Sequence, residues 1–216
     1  MTDFAQARAR MVEAQIARRG VRDPAVLDAM RTVPREVFIA ADFEASAYED
    51  RPLPIPEGQS ISQPYIVAAM LEAAGLEPDA KVLEIGAGSG YAAALLSRIA
   101  REVYAIERHD ALTVAAVERF RRLGYTNIEL KTGDGSGGWP ERAPFDAIIV
   151  SAGGPDVPQA LKRQLRVGGV MVVPVGAADE QRLKRVTRTG EDSYEEDALG
   201  AVRFVKLIGE GGWSGP

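Results

Sequence analysis

VLEIGAGSGY, residues 82 to 91, is an apolar run that stops at a glycine-rich turn and resumes as helix formers. Strand, tight turn and helix in that order form the local context of a nucleotide-type site on an open α/β sheet. The glycines are Gly86, Gly88 and Gly90, spaced GxGxG, and position 91 is Tyr, so the dinucleotide pattern GxGxxG is not met. The last glycine of that pattern lets a helix N-terminus approach a pyrophosphate, and a ligand without phosphate does not need it. Glu107 lies 21 residues beyond Gly86 at the end of EVYAIE, placed to accept hydrogen bonds from two ribose hydroxyls. Together these features point to a nucleoside without phosphate. S-adenosylmethionine fits, with its ribose, its adenine and its cationic amino-acid end. Glu84, just before the turn, is placed to face that cationic end, and Asp134 in TGDGSGGW to accept from the adenine amino group, with Gly135 counted in the same site. The plain alternative for each acid is a solvated loop residue.

Outward from this turn the chain alternates. KVLEI, EVYAIE, NIELK, FDAIIVS and GVMVVPV read as strands, and YAAALLSRIA, DALTVAAVERFRRLG and VPQALKRQL as helices. Short apolar runs separated by helices indicate a mainly parallel sheet with helices on both faces. QRLKRVTRT and AVRFVKLIG have no helix between them and read as a hairpin that adds an antiparallel C-terminal edge. Ahead of the sheet, residues 5 to 19 form a helix ending at Gly20, and Asp23 with Pro24 starts a second, PAVLDAMRTV. Residues 44 to 61 break into prolines, acids and glycine and read as an extended arm. PYIVAAMLEAAG then forms a helix closed by Gly75, with Ser62 or Gln63 at its cap position and Pro64 in its first turn. The expectation is one domain over residues 1–216. A helical and extended N-terminal decoration covers 1–61, and a Rossmann-like core covers 62–216.

The totals exclude several kinds of chemistry. The chain has 216 residues, enough to bury about 70% of its unfolded surface in one core. It has no cysteine and one histidine, which removes disulfides, thiolate nucleophiles and the usual metal clusters. A net charge of −5 argues against a broad nucleic-acid surface, and RLKRVTR at 182–188 reads as a solvated strand face. The longest nearly uncharged apolar run, GGVMVVPVGAA at 168–178, is too short to span a bilayer, and the N-terminus has no signal core. A soluble cytoplasmic protein is expected.

Several stretches resemble the protein-L-isoaspartate O-methyltransferases: VPREVFI, QSISQPYIVAAM, VLEIGAGSGY, GYTNIELKTGDGSGGW, APFDAIIV, GGVMVVPVG and VRFVKLIGEGGW. ISQP and GDGxxGW are the family-specific ones. Ser60 departs slightly, standing where the family commonly carries Thr. The resemblance implies a class I S-adenosylmethionine-dependent methyltransferase fold and methyl transfer to the α-carboxylate of L-isoaspartyl residues in damaged proteins and peptides, with S-adenosylhomocysteine as coproduct. The ester then closes to a succinimide that can reopen as aspartate. It also implies that Ser62 is the active-site serine, that VVPVG, with Val175, helps line the substrate groove beside Ser60, and that the protein is a monomer.

Such a reaction sets modest demands. An α-carboxylate is already ionised at neutral pH, so no general base is required, and a sulfonium leaving group needs no acid. Positioning the pair in line is the main task, and a neutral hydroxyl such as Ser62 orients a carboxylate with less loss of nucleophilicity than a clamped Arg. A helix N-cap is the structural alternative for Ser62. A serine-hydrolase reading has only His109 as base and lacks the GxSxG elbow. A related carboxyl methyltransferase with another acceptor remains the nearest rival. A nicotinamide oxidoreductase has the wrong glycine turn, and a binding module without turnover would be expected to show an altered ISQP.

Overall fold

The computed structural model describes residues 3–215. A seven-stranded sheet has the order β5-β4-β3-β6-β7-β8-β9, with β3 (Lys81–Ile85), β4 (Glu102–Glu107), β5 (Ile128–Thr132), β6 (Phe145–Val150) and β7 (Leu165–Gly176) parallel. β8 (Gln181–Arg188) and β9 (Tyr194–Val202) continue it antiparallel. Alternate strand residues serve two cores. Val82, Val103, Ile149 and Val172 pack on the face that carries α3 (Pro64–Ala74), α4 (Tyr91–Ile99) and α5 (Asp110–Leu123). Leu83, Ile106, Ile148 and Met171 pack on the opposite face with Leu161 of α6 (Gln159–Gln164). The expected mainly parallel sheet with helices on both faces is what forms.

The helix boundaries follow local chemistry. α1 (Phe4–Met11) starts at Asp3, whose carboxylate accepts from Gln6 N–H, and α2 (Pro24–Thr32) starts at Asp23, which accepts from Ala25 and Val26 N–H at 2.8 and 3.1 Å. Gly75 and Gly124 close α3 and α5 in the left-handed conformation. The helix expected over 5–19 is present but changes winding after Met11, through a wide π turn and a 3-10 turn, before Gly20 ends it.

Two expectations need correction. The arm over 44–61 is not simply extended. Residues 41–46 form a 3-10 turn, and β1 (Leu53–Pro54) and β2 (Ser60–Ile61) pair as a small antiparallel hairpin. Leu53, Ile55 and Ile61 bury it against the body. The last strand is Tyr194–Val202, ahead of the apolar run AVRFVKLIG that was expected to form it. That run crosses the ends of the sheet instead: Gly153 N–H donates to Val205 O at 2.7 Å and Leu207 N–H to Gly153 O at 2.8 Å.

β3 is where the winding reverses. From it the chain builds outward to β4 and β5, then returns to place β6 on its other side. The crevice beyond the strand ends at such a switch point is the natural ligand site of an open α/β sheet. Gly90 caps α4 there with φ +87°, and a Cβ on it would stand 2.7 Å from Phe120 Cζ. The third glycine therefore serves the close approach of α5 to α4. Gly90→Ala is expected to cost about 2–4 kcal/mol from left-handed strain plus overpacking. A lower urea midpoint with unchanged slope would show it.

Candidate active site

The glycine turn folds back over β4, with Gly86 and Ala87 N–H donating to Ile106 O at 2.8 and 3.2 Å. This brings Gly88 to Glu107. The Glu107 carboxylate is buried, and each oxygen is fixed by one backbone donor: Gly88 N–H on Oε2 at 2.8 Å and His109 N–H on Oε1 at 2.9 Å. Each oxygen keeps a further lone pair, the acceptor set that a vicinal pair of ribose hydroxyls requires. Gly86, Gly88, Glu107 and Gly135 line one narrow cleft with Ile106 and Ala152. A Cβ on Gly135 would lie 2.5 Å from Ile85 Cγ2, so the floor is built to closest approach. Gly90 lies behind this wall, against Phe120. The bare backbone and the doubly anchored carboxylate fit S-adenosylmethionine.

The other two acids are placed differently. Asp134 is exposed at the end of β5, where its carboxylate accepts from Ser136 N–H and Oγ–H at 2.8 and 2.7 Å and from Glu210 N–H at 2.9 Å. Burial raises its pKa, but these hydrogen bonds prevail and hold it below the usual range. Its evident work is to fasten the C-terminal segment beside the cleft. Glu84 is fully buried within β3, away from solvent, with Oε1 3.5 Å from Ser151 Oγ and Oε2 without a partner. Burial, and next the charge of Glu107, push its carboxyl well above the usual range, which favours the neutral acid. Glu84 underlies the cleft and is not among the residues lining it.

A larger groove of about 1030 Å³ opens beside the cleft, and Ser60 and Ser62 both line it. α3 takes Gln63 as its N-cap, so Ser62 stands one residue ahead of the cap and its hydroxyl is not committed to capping. Arg19, Arg203 and Lys206 give the groove positive charge, against Asp179 and Glu180 at one end. Gln59, Ser60 and Lys206 line both cavities, so the groove and the cleft meet at Ser60. Val175 is buried at the end of β7, bridged to Gly154, and the groove wall begins three residues later at Ala178. His109 Nδ1 lies 3.7 Å from Glu57 on the hairpin turn, and His109 is not in the groove with Ser62.

Gln181 and the 203–206 segment were not foreseen as site elements. Gln181 is buried and accepts from Phe204 N–H at 2.9 Å while donating to Phe204 O at 3.2 Å, copying a strand pair with one side chain. This clamp sets the groove wall. Its only sequence signal was the resemblance in VRFVKLIGEGGW, because a buried Gln reads as a surface residue.

Sheet order, switch-point cleft and glycine turn define a class I S-adenosylmethionine-dependent methyltransferase fold. A family model described as Protein-L-isoaspartate(D-aspartate) O-methyltransferase matches residues 6–212, and the chain belongs to that family. It is 57% identical over 214 residues to protein-L-isoaspartate O-methyltransferase 1 of Rhodopseudomonas palustris (strain HaA2), covering 99% of this chain and 87% of that one. It is also 57% identical over 204 residues to protein-L-isoaspartate O-methyltransferase 2 of Pelobacter propionicus, covering 94% and 91%. A solved protein-L-isoaspartate O-methyltransferase superposes with a TM-score of 0.86 at 30% identity, over 95% of this chain and 67% of that one. A Plasmodium falciparum structure described as a beta-aspartate methyltransferase, in complex with S-adenosyl-L-homocysteine, shares the fold with a TM-score of 0.81 at 24% identity, over 96% of this chain and 99% of that one.

Glu107→Gln turns an amide N–H toward one of the two backbone donors and removes an acceptor. S-adenosylhomocysteine binding is expected to weaken by about 10- to 100-fold, or roughly 1.4 to 2.8 kcal/mol. Calorimetric titration measures this directly, and an unchanged affinity would remove Glu107 from the cofactor site.

Proposed function

We propose that this protein transfers the methyl group of S-adenosylmethionine to the α-carboxylate of L-isoaspartyl residues in damaged proteins and peptides, with Ser62 orienting the acceptor. The observation that carries the reading is the junction at Ser60. A cleft fitted to a nucleoside and a groove wide enough for a peptide meet there, with the uncommitted hydroxyl of Ser62 two residues along the groove wall.

When bound, S-adenosylmethionine supplies a methyl on a cationic sulfur that leaves as a neutral thioether. Glu107, Gly86, Gly88 and Gly135 hold the nucleoside end, and Glu84 and Asp134 shape the floor and edge of the cleft. Ser60 and Ser62 hold the acceptor, with Ser62 Oγ–H donating to one carboxylate oxygen while the other stays free to attack. No residue takes a proton, because none is released. Gln59 and Ser60 of the hairpin and residues 206–208 line the cleft, so protein groups replace part of the hydration of charges that cancel on reaction. An isoaspartyl residue carries its α-carboxylate on a short branch of an extended chain, whereas a normal aspartate carries the carboxylate one methylene further from the main chain. An open groove ending at a narrow junction suits the first. Substrates are damaged soluble proteins, and the same reading has the enzyme act as a monomer in the cytoplasm, without nucleic acid.

Labelled methyl transfer to an isoaspartyl peptide and its aspartyl twin is the test. Label is expected in the first alone; equal label in both, or in neither, would favour a different acceptor. Ser62→Ala is expected to lower peptide kcat/KM by about 10- to 100-fold, the value of one hydrogen bond to a charged group, with cofactor affinity within a few-fold.

A further inference from the structure

Arg35, in the VPREVFI stretch, is the largest fully buried side chain in the protein, with none of its surface exposed. A buried cation is ordinarily paired, yet Arg35 is in none of the ion pairs among the described residues. Its Nε–H donates to Ala47 O at 2.8 Å and its Nη2–H to Ser62 O at 2.8 Å. The guanidinium carbon stands 4.8 Å from the ring centroid of Tyr91, the first residue of α4 after the glycine turn. Nη1 has no acceptor. Burial lowers its pKa, the sign of a charge kept at a cost.

A residue placed for stability alone would not look like this. An orphaned donor on an unpaired buried charge costs folding free energy. What Arg35 does provide is geometric. Its planar fork ties the carbonyl of Ser62 to that of Ala47 at the start of the arm, while its face lies over the ring of Tyr91, where the helix after the glycine turn begins. Ser62 precedes the helix cap and has no helical hydrogen bond of its own to fix its peptide. We propose that Arg35 is a positioning residue for methyl transfer, holding the Ser62 peptide so that its hydroxyl meets the acceptor carboxylate in register with the cofactor cleft. The proposal rests on the orienting role of Ser62 given above.

A double-mutant cycle separates the two claims. Arg35→Met is expected to lower peptide kcat/KM about tenfold or more, with S-adenosylhomocysteine affinity within threefold, and Arg35→Lys, which can still reach one carbonyl, to recover part of the loss. In a Ser62→Ala background, Arg35→Met should cost less than about twofold further, because the hydroxyl it positions is gone. An undiminished further loss in that background, or parallel collapse of cofactor binding, would overturn the proposal. If Ser62→Ala alone leaves peptide methylation unchanged, the role of Ser62 fails instead. Should Arg35→Met not fold, the Arg35→Lys cycle gives the same readout.

Discussion

The buried carboxylate of Glu107, with one backbone N–H on each oxygen, is the joint on which the site depends. It ends β4, pins the glycine turn that leaves β3 and pins the first residue before α5. Three elements on one side of the switch point are thereby fixed to a single charged group in a low-dielectric setting, where charge-assisted hydrogen bonds are at their strongest. The turn can pass so close only because Gly86, Gly88 and Gly90 adopt positive φ, at +83°, +56° and +87°. The carboxylate and the glycine turn that face the cleft are thus anchored to the ends of β3 and β4.

The groove is built by a different logic. Its wall comes from the N-terminal arm, from Gln181 and from the 203–206 segment, none of which belongs to the parallel sheet. Two buried polar side chains add to the backbone bonds that hold these segments. Gln181 does so for Phe204, and Arg35 for Ser62 and Ala47. A groove made of attached segments can be open while its junction with the cleft remains narrow.

How much of this was legible in the sequence follows from the kind of signal each part carries. The sheet core, the capped helices and the GxGxG turn with Glu107 are written in periodicity, capping residues and spacing, and all form where expected. The hairpin of residues 53–61 was read as a broken arm because its two-residue strands are too short for alternation, and its turn, with Glu57 at φ +62° and Gly58 at φ +65°, showed only as the glycine within that arm. The final strand was misplaced because Tyr194–Val202 is an exposed edge with no buried face, so it lacks the apolar pattern that the crossing segment after it displays. Glu84 and Arg35 were opaque for a common reason: a charged residue is presumed to face water, and both are buried by neighbours distant in sequence. Ser62 was legible as a serine ahead of a helix, with the cap left open between it and Gln63, and the structure gives the cap to Gln63.

The central claim is that the protein positions an already ionised nucleophile and moves no proton. The most direct measurement is kcat for an isoaspartyl peptide at saturating cofactor, from about pH 5.5 to about pH 8.5, spanning the range in which an unperturbed imidazole titrates. A flat profile, unchanged by His109→Asn, is the predicted result. A rise of about one decade per pH unit on the acid side that disappears in His109→Asn would identify a proton-abstracting base and contradict the account.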